Sequence, residues 1–466
     1  MDITREHPDY TLLKPILRKY SDLYAGGEQL KSRAAYYLES RQKEPPDVYA
    51  ERLSRVFYEN YAGSIIDWYS ATVFRREPAL SFETHSEPAK AFYSTFADDC
   101  DLRGTSLTSM LRQQFVGTLV HGRSYLLLDF PRAKIRPATQ AEEDLHGMSR
   151  AYLVDYGAEN LINWSRDERG IFDWVVLRQR SQRADSPGCS GPVGETKWLY
   201  YDRSKYRIYT RREGESPEAE VVLADEGYHG LASQGLVPLF ELKVSEGLWL
   251  MNKAALLQLE HFNKSNALAW ALTMGLFAMP VIYSDKEWRQ LVGESYYIQL
   301  GQGDRFGWTE PEGRVFQIAA DNLSRLQEEI YRVCYLQHQA QSVNSRGPSQ
   351  SGLSKQRDFS VTQEVLRGFG DTIKDYIKKI LRALVAARRD RVVVDATGMD
   401  DFDIGDFASD LADAERLLSL DIPSPTLRAQ VFRKLAGKYL CDVRQDIKDR
   451  IHAEIDQSLL GKGVQD

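Results

Sequence analysis

Apolar residues recur at three- and four-residue spacing over Tyr10–Leu23 and again over Tyr49–Val73, which predicts two helices. The polar hinge Arg41–Asp47, with Pro45 and Pro46, separates them. In the second helix Val56, Phe57, Tyr61, Ile65, Ile66, Trp68 and Tyr69 make a wide apolar stripe. A further helix is predicted from Thr105 or Ser106, either of which suits an N-cap, through Met110, Leu111, Phe115, Leu119 and Val120. The short apolar run Gly122–Phe130 then reads as a buried strand stopped by Pro131. From Tyr152 to Phe240 the pattern changes to short runs rich in aromatic and β-branched residues, at Ala151–Tyr156, Phe172–Leu177, Lys197–Tyr201 and Arg207–Arg211. Polar turns at Arg183–Gly194 and Glu213–Pro217 separate them, so an antiparallel β-domain is expected, its aromatic residues serving sheet packing.

Helical spacing returns from about Glu246 to Gly275, where Leu248, Met251, Leu256, Leu257, Leu259, Phe262, Leu268 and Leu272 occupy most of the circumference. Such a helix needs neighbours on several sides; Asn263, Lys264 and Asn266 interrupt its apolar surface. A strand-like insert over Pro280–Ala320 follows, with turns at Gly301–Asp304 and Glu310–Gly313. A second helix is predicted over Asp321–Gln341, with Leu323, Leu326, Ile330, Val333 and Tyr335 as contacts and Asp321 as an N-cap lacking a full capping box. The stretch Ser342–Arg357 is rich in Ser, Gly and Gln and contains no acidic residue; a loop of that length is usually functional or disordered. A long helix then runs over Asp358–Arg389, with Val361, Val365, Phe369, Ile373, Ile377, Ile380 and Leu384 on one face. A strand at Arg391–Asp395 and helices at Asp406–Leu420, Thr426–Leu435 and Cys441–Leu460 complete an α+β chain.

The 466 residues allow two to four domains, and 42% hydrophobic and 27% charged residues are ordinary for a globular protein. A net charge of −7 gives no global nucleic-acid signature, so any contact with a polyanion must be local or weak. Ser342–Arg389 is locally basic, with ten Lys/Arg against four Asp/Glu. Two accounts fit it: a solvated loop and helix with ordinary surface cations, or a basic loop beside a polyanion that must slide past. The four cysteines, Cys100, Cys189, Cys334 and Cys441, lack CxxC spacing and read as reduced thiols. The opening MDITREHPDY has no basic segment leading into an apolar core, so no signal peptide is expected. Ala267–Tyr283, the most apolar stretch, is interrupted by Gly275 and Pro280 and reads as packing rather than a membrane span.

Motifs for chemistry are sparse. Gly301-Gln-Gly-Asp-Arg-Phe-Gly307 imitates a dinucleotide loop only loosely, since its third glycine is displaced and a strand follows; tight turns explain it. There is no GxxxxGK[ST], HExxH or GxSxG, and His261 and His338 lie on separate predicted helices. The carboxylate clusters Asp98-Asp99, Glu142-Glu143-Asp144 and Asp400, Asp401, Asp403 read as solvated acidic surface. They keep open one alternative, a metal-dependent nuclease or other enzyme of mobile-element origin. No catalytic residue, metal site or cofactor is assigned.

Several local stretches resemble one family of tailed-bacteriophage portal proteins, and the resemblance covers nearly the whole chain. Tyr36-Tyr-Leu-Glu-Ser, Pro45-Pro-Asp-Val-Tyr-Ala-Glu-Arg-Leu and Ala71-Thr-Val-Phe-Arg-Arg-Glu-Pro are similar to its opening, where "YL" and a proline-rich hinge precede a helix ending in "FRK-P". Gly104-Thr-Ser-Leu and Gly122-Arg-Ser-Tyr-Leu-Leu-Leu-Asp-Phe-Pro match its "GTSL … GR…LVD-P" stretch. Trp308-Thr-Glu-Pro-Glu-Gly resembles a turn before its second stem helix, and Ile422-Pro-Ser-Pro-Thr, Leu435-Ala-Gly and Asp442-Val-Arg-Gln-Asp-Ile resemble a tail shared by several portal families. The order of these stretches carries the resemblance. Arg183–Gly194 and Ala141–Asp144 depart from the family as local insertions, and the C-terminal part is short.

The resemblance implies a portal fold: a wing over residues 1–245, stem helix 1 over 246–279, a clip over 280–320 and stem helix 2 over 321–341. A tunnel loop over 342–357, a wing helix and strand over 358–402 and a helical crown over 403–466 complete it. It implies a virion protein at one capsid vertex, a ring of about twelve subunits through which double-stranded DNA is packaged and ejected. The implied partners are large terminase, major capsid and scaffold proteins and a head-tail adaptor, with no membrane. Arg346, Lys355 and Arg357 would meet DNA, and Trp288, Arg289, Tyr296, Tyr297, Arg305 and Trp308 of the clip would meet terminase or connector.

Overall fold

Side chains, more than propensity, set the helix breaks of the N-terminal third. The computed structural model describes residues 2–75, 77–131, 150–183, 193–212, 221–275, 279–283, 303, 305–309, 313–336, 352–399, 402, 407–420, 422, 424–439 and 445–460. Helix α1 (Pro8–Ala25) starts on proline, whose missing N–H costs nothing there, and the His7 ring accepts from the Asp9 amide. Helices α2 (Gly27–Ser32), α3 (Pro46–Ser54) and α4 (Tyr61–Val73) follow. The single helix expected over Tyr49–Val73 is thus two. Asn60 caps α4 by accepting from the Gly63 amide, and the backbone N–H and C=O of Phe57 are both taken by the side chain of Asn266.

Strand β1 (Ala79–Glu83) and helix α5 (Glu87–Asp98) lead to α6 (Leu107–His121), which Ser106 caps as the sequence predicts. It ends at Gly122 with φ +79°, where a Cβ would lie 2.9 Å from the Trp249 indole. Glycine there turns the chain into β2 (Arg123–Asp129) and lets Trp249 lie against the backbone, donating to the Val120 carbonyl.

Strands β3 (Tyr152–Gly157), β4 (Leu161–Arg166), β5 (Phe172–Arg183), β6 (Val193–Asp202), β7 (Lys205–Arg212), β8 (Val222–Tyr228) and β9 (Leu239–Lys243) form two antiparallel sheets with β2. Their orders are β3-β2-β9 and β4-β5-β6-β7-β8. Tyr125, Leu127, Tyr156 and Leu239 of the smaller sheet share one buried cluster with Phe172, Val175, Leu177 and Tyr201 of the larger, so the two are layered. The sequence finds the β-domain but not β4, β8 or β9, and its first strand belongs to the smaller sheet.

The C-terminal half runs α7 (Leu250–Gly275), β10 (Met279–Tyr283), β11 (Arg305–Thr309), α8 (Gly313–Val333), α9 (Gly352–Arg388), β12 (Val393–Thr397), α10 (Phe407–Ser419), α11 (Pro425–Tyr439) and α12 (Gln445–Leu460). Helix α8 begins eight residues earlier than expected, because Val315, Phe316 and Ile318 already carry helical spacing; Asp321 lies inside it and accepts from Gln317 instead of capping. It stops at Val333 rather than Gln341. Tyr335 takes φ +62°, its N–H bonds the Arg332 carbonyl and that of Leu336 bonds the Tyr331 carbonyl, which closes the helix end. Helix α9 starts at Gly352, ahead of the expected Asp358, and buries Val365, Phe369, Ile373, Ile377, Ile380 and Leu384 as predicted. Val361 is the exception: it is 54% exposed, and Thr362 turns inward in its place.

One core joins these parts. Phe369 of α9 meets Tyr69 of α4 and Phe115 of α6 edge to face, with ring centroids 5.7 and 5.2 Å apart. Strand β12 pairs with β1 from the other end of the chain, Ala79 opposite Thr397 and Glu83 opposite Val393.

Burial lowers the pKa of His121, His229 and His261 below 6.5, against the opposing pull of Glu159, Asp202 and Glu59 respectively. Each therefore holds a proton less readily in the fold than in the unfolded chain, which takes one up as pH falls through 6.5. Stability should therefore fall below that pH, by up to about 1.4 kcal/mol per pH unit for each histidine. Denaturant melts between pH 7.5 and 5 should show this, and His261→Gln should have a shallower acid slope than the unaltered chain.

Candidate functional site

The region to which the sequence assigns a channel and docking role is built on α7 and α8, which pack side by side and meet α4. Helix α7 is fixed by three side-chain amides, each using both its donor and its acceptor on backbone. Gln258 donates to the Glu59 carbonyl at 2.7 Å and accepts from the Ala62 amide at 3.1 Å. Asn263 donates to the Tyr37 carbonyl and accepts from the Glu39 amide, and Asn266 holds both groups of Phe57. Sequence reading treats Asn263 and Asn266 as interruptions of an apolar surface and passes over Gln258. Their polarity within that surface is the signal that buried backbone needs them.

Beyond these amides the pair leaves apolar surface open. Leu272 on α7 is 40% exposed, and Val315 and Ile318 on α8 are 63% and 59% exposed. Positions 315 and 318 share one helix face. The two helices are bridged by the β10–β11 pair, in register from Met279 opposite Thr309 to Tyr283 opposite Arg305.

After α8, Cys334, Tyr335 and Leu336 are clamped. Tyr69 donates to the Cys334 carbonyl at 2.7 Å, Thr362 of α9 donates to the Tyr335 carbonyl, and the Tyr335 hydroxyl binds the Gly247 carbonyl at 2.9 Å. Lys253 donates to the same hydroxyl at 2.6 Å. Burial pushes the thiols of Cys100 and Cys334 up to about 12, so neither is a nucleophile near neutral pH.

Among the sequence-predicted site residues, Arg346, Trp288, Arg289, Tyr296 and Tyr297 lie outside the described residues, as does His338. Lys355 and Arg357 fall in the first turns of α9, not in a loop. Arg305 opens β11 and is exposed; Trp308 lies three positions along it, opposite Pro280.

Asp99 accepts from the Gly104 amide and pairs with Arg150 at 2.7 Å, which gives it a structural task. Glu142–Asp144 and Asp400, Asp401 and Asp403 lie outside the described residues. Among the described residues no group of three His, Cys, Asp or Glu is placed to hold a metal ion. Ser21 Oγ lies 2.8 Å from His121 Nε2, but Glu159 stands 3.8 Å from that same nitrogen and cannot orient the ring from its other side. Among the described residues no helix is long and apolar enough to cross a membrane.

No protein family and no curated relative matches the chain. Solved structures similar to it come from gene transfer agent particles. A chain from the neck of an empty particle, computed with C6 symmetry, is 12% identical over 80% of this chain and 90% of its own, with a TM-score of 0.43. A chain from the virion of a native particle is 12% identical over 85% and 96%, at 0.44. One from a native neck computed with C12 symmetry is 11% identical over 86% and 98%, at 0.43. At these scores the likeness carries no argument about what this chain does.

Truncating the amides should be costly. Gln258→Ala leaves the Glu59 carbonyl and the Ala62 N–H without partners, and Asn266→Ala does the same to Phe57. Each should destabilise the fold by about 2 to 3 kcal/mol, read as a lowered denaturation midpoint, whereas Lys264→Ala on the exposed side should shift it by less than about 0.5 kcal/mol.

Proposed function

We propose that this chain is the portal subunit of a tailed bacteriophage or prophage, a ring at one capsid vertex through which double-stranded DNA enters and leaves. The observation that carries this reading is the order helix, strand pair, helix, then a 37-residue helix, with apolar residues of the first two helices left uncovered by the chain itself. A closed heterologous ring covers such residues with the next subunit. The motif order Pro45-Pro46, Gly104-Thr-Ser-Leu, Gly122-Arg-Ser and Ile422-Pro-Ser-Pro supports the same reading.

In this proposal α7 and α8 are the stem, the β10–β11 region is the clip, and residues 342–357, which run into the first turns of α9, line the channel. The parts before 246 with 358–402 are the wing, and 403–466 the crown. The ring is a passive conduit and docking site, with ATP hydrolysis supplied by a separate terminase. Arg346, Lys355 and Arg357 meet DNA weakly enough to let it slide, and the clip residues Trp288, Arg289, Tyr296, Tyr297, Arg305 and Trp308 meet terminase and then the connector. Capsid and scaffold proteins contact the wing.

The purified chain, examined by negative-stain electron microscopy and solution mass, should give rings of about twelve subunits with a central hole. Val315→Ser with Ile318→Ser should weaken ring formation at least tenfold, since two exposed side chains lose their apolar contact. Neutralising Arg346, Lys355 and Arg357 together should leave rings intact and reduce DNA packaging or retention. A compact dimer that nicks plasmid DNA with Mg²⁺ would instead favour the nuclease alternative.

A further inference from the structure

Helix α8 ends against the local preference of its own sequence. The run Cys334-Tyr-Leu-Gln-His-Gln-Ala-Gln341 contains no glycine, proline, asparagine or aspartate, and its leucine, glutamines and alanine favour helix. Yet Tyr335 sits at φ +62°, in the left-handed region. An aromatic residue enters that region at a cost of about tenfold in population against the right-handed helix. Helix α9 closes with a similar turn at Arg389, φ +58°, where the Asp390 N–H bonds the Val385 carbonyl. Arg389 is an exposed residue; Tyr335 differs in what holds it.

Three other elements grip the turn. On the α7 side, the Tyr335 hydroxyl donates to the Gly247 carbonyl and accepts from Lys253, whose ammonium also lies 4.3 Å from the ring centroid. From α9, the buried Thr362 donates to the Tyr335 carbonyl, and from α4 Tyr69 donates to that of Cys334. Leu336 is fully buried, and its N–H bonds the Tyr331 carbonyl. Local preference and tertiary contact therefore specify different backbone states for the same three residues, 334–336. The left-handed state persists only while the surrounding elements impose it.

We propose that Tyr335 is a conformational switch between this left-handed turn and a right-handed state in which α8 winds on through 334–336. Its side chain is held from the α7 side and its carbonyl from α9. A displacement of either helix relative to the other releases one of these holds, and the local helix preference then decides the backbone. Winding on withdraws Leu336 from the core and changes the direction in which the chain leaves α8. The switch thus converts a shift between α7 and α9 into a new path for the chain that follows. It stands on the fold of one subunit and does not depend on the ring reading.

The test compares Tyr335→Ala with Tyr335→Gly, both of which lack the hydroxyl. Alanine favours the helix and glycine tolerates the left-handed turn, so the two variants are biased towards opposite states by about tenfold in population. Crystal structures of the two should show α8 continuing through residue 336 in Tyr335→Ala and ending at Val333 in Tyr335→Gly. Helix α8 ending alike in both overturns the proposal. So does an unwound 334–336 in Tyr335→Ala, which marks a frayed end rather than a second state. Thr362→Val, which removes only the α9 contact and keeps the Tyr335 side chain, serves if Tyr335→Ala folds poorly. There α8 should again run past Val333, and an end at Val333 overturns the proposal.

Discussion

The fold depends on a long apolar helix satisfying backbone that other elements leave bare. Where α2 gives way to α3 and α3 to α4, the chain turns through short irregular stretches whose amides and carbonyls lie against α7. Gln258, Asn263 and Asn266 answer them, each with both ends of its side chain. Unpaired backbone in that position would cost more than the apolar burial there returns, because a buried polar group carries its full desolvation penalty. The amides therefore fix where α7 sits, and α7 fixes α8, α4 and the clamp at Tyr335.

That arrangement divides the helix pair into two regimes. Near the amides, α7 packs against α1, α4 and α6, with Met251, Ala254, Ala255 and Phe262 fully buried on that side and Leu256 left 71% exposed on the other. Towards β10 and β11 the exposed apolar residues continue through Leu272, Val315 and Ile318. Apolar residues exposed at neighbouring positions of a helix fit the proposed contact with other chains. The ring proposal uses this feature.

Much of this was legible in the sequence. Local signals located α1, α4, α6, α7, α9 and the C-terminal helices, and Ser106 identified its own helix start. What failed depended on long-range partners. β12 was read as a strand over Arg391–Asp395 but β1 was not, and no local signal carries their pairing across more than three hundred positions. The Tyr49–Val73 periodicity runs through a break whose backbone Asn266 and Gln258, about two hundred residues on, satisfy. Val361 fits the apolar face of α9 by spacing, but Thr362 is drawn inward by the Tyr335 carbonyl. Helix α8 ends early because Tyr335 adopts a left-handed conformation that nothing in its side chain announces. Of the candidate site, Arg305 and Trp308 proved to lie on a strand, and Lys355 and Arg357 on a helix rather than a loop.

The central claim is that the open flanks of α7 and α8 are covered by neighbouring copies. Hydrogen exchange of residues 313–325, compared between dilute monomer and assembled protein, tests it most directly. The account predicts exchange slowed at least tenfold on assembly in that segment, with little change in exposed α3. Equal exchange in the two states would contradict it, because the apolar face would then remain open in the assembly.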